Sequence, residues 1–107
     1  MNILHFYGDD CMIVVVSYDV RTSSPEGRTR LRRLAKTCQD YGQRVQLSVF
    51  EISLSSTDWV YVKDRILNEM NKNEDSVRFY YLGNNAKGHI EHIGKKPSID
   101  YDGALIV

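Results

Sequence analysis

Residues 13–20, "IVVVSYDV", constrain the fold of this chain more than any other stretch. Ile13 to Val16 are all β-branched, and an unbroken apolar run reads as a strand covered on both faces. The run then closes on Tyr18 and Asp19. Aspartate is disfavoured in strands and is rarely buried without a partner. Asp19 is therefore either a polar cap at the strand exit, paired for instance with Arg21, or a group placed there for chemistry. On the strand alone the cap is the simpler reading.

The segments that follow set the fold class. "TSSPEG" carries helix-start signals, with Ser23 and Glu26 at capping-box spacing and Pro25 suited to a first turn. Leu31, Leu34, Ala35, Cys38 and Tyr41 then recur as one face of an amphipathic helix, and Gly42 marks its stop. "QRVQLSVFEISLS" is extended: Val45, Leu47 and Val49 alternate with polar residues, after which Phe50 and Ile52 take the opposite parity. Such a phase change requires a bulge, a bend or two short strands, and no Gly or Asn locates it. "SSTD" opens a second helix whose buried stripe is Trp59, Val62, Ile66, Leu67 and Met70. In "SVRFYYL", Val77, Phe79 and Tyr81 alternate with Arg78, Tyr80 and Leu82. Beyond the polar loop "GNNAKG", "HIEHIG" reads as a short fifth strand, and residues 95–107 form a C-terminal tail.

The order β-α-β-β-α-β plus an extra strand predicts an α+β, ferredoxin-like sandwich with two helices over one face of an antiparallel sheet. The other face is left open, and in a chain of only 107 residues an apolar open face needs a partner, so a homodimer joined through that sheet face is expected. A single domain spans residues 12–107. Met12 stands directly before the first strand, and residues 1–11 are expected to be an upstream extension outside the fold.

Formal net charge is zero, which argues against a protein that coats nucleic acid or anionic membrane indiscriminately. The charge is uneven, however. From Arg21 to Arg44 seven bases face two acids, whereas from Val45 to Ser76 three bases face six acids. That asymmetry suggests one electropositive face, a feature that nucleic-acid binding requires and that surface accident also gives. Cys11 and Cys38 are too few and too far apart for a disulfide scaffold or a zinc site, and Cys38 on the helix stripe predicts a buried free thiol. No segment approaches the roughly 18 apolar residues of a membrane span, and the start lacks a signal-peptide pattern, so no membrane partner and a cytoplasmic location are expected.

In a twofold dimer across the open face, Asp19 would meet its own copy. Two close carboxylates need a proton or a cation between them, and a hard ion such as Mg²⁺ answers that need and can activate a phosphodiester. Arg28, Arg30, Arg32, Arg33 and Lys36 cannot share one helix face. Arg28 and Arg30 sit near the helix start, where anion contact is favoured, with a solvated surface as the alternative. Arg44, opening the second strand, is a weaker candidate, and Glu51 is a second acid without geometric support. Tyr18, Tyr80 and Tyr81 either stack on bases or pack the sheet. His89 and His92, three apart in a strand, fall on opposite faces; His5 lies in the extension. "GNNAKG" does not make a phosphate loop, and Ser48 has no general-base partner.

With the strand ending in Tyr18-Asp19, the arginine-bearing helix and "QRVQLSVFE" in view, the chain resembles the second CRISPR-associated protein, a family of small metal-dependent nucleases of the spacer-acquisition machinery. The resemblance runs from Met12 to near the C-terminus, and "SVRFYYLG" and "IEHIGKKPSID" are similar to the branch found with type I-C systems. It implies a ferredoxin-like homodimer in which Asp19 from each chain lines a shared Mg²⁺ site, with Mn²⁺ as a substitute. It also implies nucleic-acid contacts from Arg28, Arg30 and Arg44, supported by Tyr18 and Phe50. The implied substrates are single-stranded RNA or duplex DNA, and the implied partner is the CRISPR integrase, bridged on DNA by the dimer. Ala104 departs from the proline expected in close relatives. Three functions are consistent with the resemblance: a Mg²⁺-dependent endonuclease, a non-catalytic DNA-holding scaffold of the integrase, and a toxin-like endoribonuclease on the same fold.

Overall fold

The computed structural model describes residues 11–82 and 89–95. Its elements are β1 (Cys11–Asp19), α1 (Pro25–Tyr41), β2 (Gly42–Gln46), β3 (Val49–Ser55), α2 (Ser56–Asn68), β4 (Ser76–Leu82) and β5 (Ile90–Gly94). This is the expected α+β order. The five strands form one antiparallel sheet in the order β2-β3-β1-β4-β5, which places the β-branched run on the central strand. β1 begins one residue earlier than the expected domain start, with Cys11 paired to Ser55.

Alternation divides β1 cleanly. Val14, Val16 and Tyr18 are buried, with Phe50 and Ile52 from β3 and Val77, Phe79 and Tyr81 from β4, under Leu34, Cys38, Trp59, Val62 and Ile66 of the helices. Ile13, Val15, Ser17 and Asp19 point to the opposite face, which no described element covers. Both helices close with ordinary chemistry. Ser24, not Ser23, is the N-cap of α1: its hydroxyl accepts the Gly27 N–H at 3.0 Å, while Ser23 accepts from Arg21 Nε at 3.1 Å. Ser55 caps α2 by accepting the Asp58 N–H at 3.1 Å.

The ambiguous stretch resolves into two strands around a turn at Leu47 and Ser48, with a register irregularity between Arg44 and Gln46. Val45 and Leu47 are exposed, so their alternation does not mark a buried face. A polar clamp unforeseen in the sequence joins the helices. The Thr37 hydroxyl donates to Glu69 at 2.6 Å, and Arg65 donates to Thr37 and to the Tyr41 hydroxyl, both at 3.2 Å. No helix among the described residues is long and apolar enough to cross a membrane. The expected extension up to residue 10, His5, the "GNNAKG" loop, Ala104 and the tail beyond Lys95 lie outside the described residues.

Candidate functional site

The candidate residues gather where β1 leaves the sheet, but on two different faces. Asp19 is the last residue of β1, exposed, on the uncovered face. Its backbone pairs with Ser76, and the next pair along that face is Ser17 with Arg78. Among the described residues no hydrogen bond or ion pair engages the Asp19 carboxylate; the Arg21 guanidinium, its suggested partner, bonds to Ser23 instead. Glu51 shares the open face but pairs with Val15, four residues back along the strand and so about 13 Å from Asp19. The described residues contain no group of three or more His, Cys, Asp or Glu side chains that would hold a metal. His92 sits on the open face opposite Arg78, whereas His89 stacks on Tyr81 of the helix-covered side at 5.5 Å.

Tyr18, Phe50 and Arg44 form a second group, on the helix-covered side. Tyr18 and Phe50 stack with ring centroids 6.2 Å apart, and Arg44, paired with Phe50, lays its guanidinium 5.0 Å over that ring. Burial raises the pKa of the Tyr18 hydroxyl, and the nearby Arg44 charge only partly offsets it. Phe50 is fully buried and Tyr18 nearly so. Neither ring is open to a base.

The two helix-start arginines part company. Arg28 is exposed and, among the described residues, donates to the Thr22 carbonyl alone, at 3.3 Å. It continues through Arg32 to Lys36 as an outward basic stripe, ending in the Lys36–Asp40 ion pair at 2.7 Å. Arg30 turns inward. Its Nε donates to Asp75 Oδ2 at 2.7 Å and its Nη2 to Asp75 Oδ1 and Glu74, both at 3.2 Å. The anion met by Arg30 is therefore the protein's own carboxylate, because the helix start packs against the loop before β4.

Asp75 is the residue that sequence reasoning missed, and among the described residues it is the one charged side chain that is buried. Besides Arg30 it accepts the N–H groups of Arg21, at 3.1 Å, and Asn71, at 2.9 Å. Burial alone would raise its pKa, but the Arg30 fork and the two backbone donors outweigh burial and hold the carboxyl below its ordinary value. Two glycines make room for it. Gly94 has φ +105°, and a Cβ there would overlap the Asp75 carbonyl oxygen; a Cβ on Gly27 would overlap the Arg21 carbonyl oxygen. Nothing in "NEDS" separates Asp75 from its neighbour Glu74 by sequence.

The family model for CRISPR associated protein Cas2 matches residues 12–90, which spans β1 to the start of β5. The chain belongs to the Cas2 family. It is 54% identical over 101 residues to the CRISPR-associated endoribonuclease Cas2 of Nitratidesulfovibrio vulgaris, covering 94% of this chain and 99% of that one. It is 52% identical to the CRISPR-associated endonuclease Cas2 of Halalkalibacterium halodurans, covering 89% of this chain and 99% of that protein. The crystal structure of Streptococcus pyogenes Cas2 at pH 6.5 superposes with a TM-score of 0.63 at 51% identity, over 71% of this chain and 92% of that one. As a Cas2 protein the chain has a CRISPR-related function, and the Cas2 relatives carry nuclease names.

Proposed function

We propose that two copies of this chain meet across the open sheet face and that Asp19 from each seats one divalent cation, giving a Mg²⁺-dependent endonuclease of CRISPR spacer acquisition. The observation that carries this reading is an exposed carboxylate with no side-chain partner among the described residues, at the rim of a sheet face that no described element covers. Ile13, Leu82 and Ile90 expose 36%, 44% and 51% of their surface there, and removing such apolar area from water contributes about 25 cal/mol per Å² before the entropic cost of association is subtracted. Among the described residues one chain alone offers a single carboxylate at the site, Asp19, too few for a resident ion. A second copy doubles the carboxylates, and oxygen donors with open positions suit Mg²⁺ or Mn²⁺. The cation, when bound, supplies Lewis-acid polarisation of a phosphodiester and a more acidic water.

The chain's own residues do the rest. Asp19 places negative charge where the ion binds. Arg28 and Arg44 are exposed and meet phosphate oxygens on either side of the strand exit, while Tyr18 and Phe50 hold Arg44 from beneath. Arg30 orders the loop rather than the substrate. The endoribonuclease name of one relative favours RNA as the substrate, and the endonuclease name of another keeps DNA as the second. The stripe Arg28–Arg32, which needs no metal, supports a DNA-holding role on the CRISPR integrase, in a type I-C-like system, beside or instead of cleavage.

The test is cleavage of both nucleic acids by the purified protein with Mg²⁺, with chelator, and after Asp19→Asn. Both changes are expected to abolish cleavage; cleavage by the Asn variant equal to wild type would exclude Asp19 from the reaction. A spacer-integration assay on the same variant separates the roles, because normal integration without cleavage leaves only the holding function.

A further inference from the structure

We infer that Asp75, together with Arg30, is a positioning pair for Asp19: it fixes the strand exit from which the Asp19 carboxylate projects. The inference rests on the cation-seat reading above. Three contacts converge on Val20 and Arg21, the two residues that follow Asp19. The Arg21 N–H is held by Asp75 Oδ1 at 3.1 Å. The Arg21 carbonyl is packed against the first turn of α1, so closely that Gly27 has no space for a Cβ. Between Asp19 and Arg21, Val20 is buried in the core.

Asp75 is anchored in turn. Arg30 grips both its oxygens, at 2.7 and 3.2 Å, and Asn71 donates to Oδ2 at 2.9 Å. Its own carbonyl accepts the Lys95 N–H at 2.8 Å, beyond the end of β5. Ser76, the next residue, is the strand partner of Asp19. The backbone of Asp19 is thus braced through its ladder partner and through the chain after it, and both braces pass through residue 75.

A single carboxylate per subunit needs such bracing. Among the described residues its neighbours supply no second acid to correct a displaced ligand, and outer groups that orient metal ligands are worth about 10–100-fold in affinity. A frayed strand end would leave Asp19 exposed and charged but badly aimed. Arg30 therefore affects the site without touching nucleic acid, whereas Arg28 acts on the substrate directly.

The experiment uses the full chain with Asp75→Asn, Arg30→Ala and Arg30→Lys. Asn is isosteric and keeps one acceptor, and Lys keeps the charge without the fork, so one variant carries the test if another fails to fold. Three quantities are read: hydrogen exchange of the Arg21 amide, Mn²⁺ affinity without nucleic acid, and RNA or duplex binding in chelator. Arg21 exchange is expected to quicken and Mn²⁺ affinity to weaken about 10–100-fold, with Arg30→Lys intermediate and nucleic-acid binding in chelator unchanged. Arg28→Ala is expected to do the opposite, weakening nucleic-acid binding alone. Unchanged Mn²⁺ affinity in folded Asp75→Asn overturns the inference and leaves the cation seat intact. Loss of nucleic-acid binding in chelator by Arg30→Lys also overturns it, making Arg30 a phosphate contact. Absence of Mn²⁺ binding by the wild type overturns the cation seat itself and the positioning role with it.

Discussion

Replacing Phe50 by alanine should lower activity by destabilising the fold, not by removing a contact to nucleic acid. Phe50 is fully buried, paired with Val16 on the central strand and stacked 6.2 Å from Tyr18. Deleting a buried phenylalanine costs about 3–5 kcal/mol. Losing the ring beneath Arg44 removes a further cation–π contact of roughly 0.5–1 kcal/mol. Against a domain stability of about 5–15 kcal/mol, that is most of the margin at the lower end. A loss near 4 kcal/mol lowers the melting temperature by on the order of 20 °C. Phe50→Leu retains most of the volume and should cost about 1 kcal/mol. Thermal melts and denaturant titrations of both variants, followed by cleavage at a temperature where each is folded, give the assay. The Leu variant is expected to cleave nearly as well as wild type. An Ala variant that melts within a few degrees of wild type yet has lost nucleic-acid binding would refute the burial argument and make Phe50 a base contact.

Asp75 sets a pH dependence of stability. Its carboxyl is held below the ordinary value of about 3.9, so its contribution is fully present above that value and is lost as pH falls through the lower folded one. Denaturant midpoints measured from neutral pH down through the acid range should fall less steeply for Asp75→Asn than for wild type. An identical slope in the two would show that Asp75 is not ionised in its pair. Removing Arg30 instead leaves the buried Asp75 carboxylate without its cation and should lower the denaturant midpoint at neutral pH, read from the same titrations. The Cys38 thiol is fully buried and burial pushes it up to about 12, whereas Cys11 is part-exposed. A thiol reagent near pH 8 should therefore modify Cys11 in the native protein and Cys38 only after denaturation.

The fold was legible because each element carried its own period. The stripes containing Leu34 and Cys38, and Trp59, Val62 and Ile66, are the buried faces of α1 and α2, and the alternation around Phe79 is the buried parity of β4. The turn at Leu47 and Ser48 was not legible, since no Gly, Pro, Asn or Asp marks it, Ser48 alone is a weak turn signal, and the apolar Leu47 is 82% exposed. At the candidate site, Asp19 could be placed from the parity of one strand. Arg28 and Arg30 could not be told apart, because what separates them is the loop before β4, folded back from 45 residues away. Asp75 owes its burial to that same long-range contact. Local sequence contains no trace of it.

The most direct test of the cation seat is a Mn²⁺ titration followed by electron paramagnetic resonance, with protein as the fixed component. The expected result is one tightly bound Mn²⁺ for every two chains, displaced by Mg²⁺ and absent from Asp19→Asn. One ion per chain, or undiminished binding by the Asn variant, would contradict it.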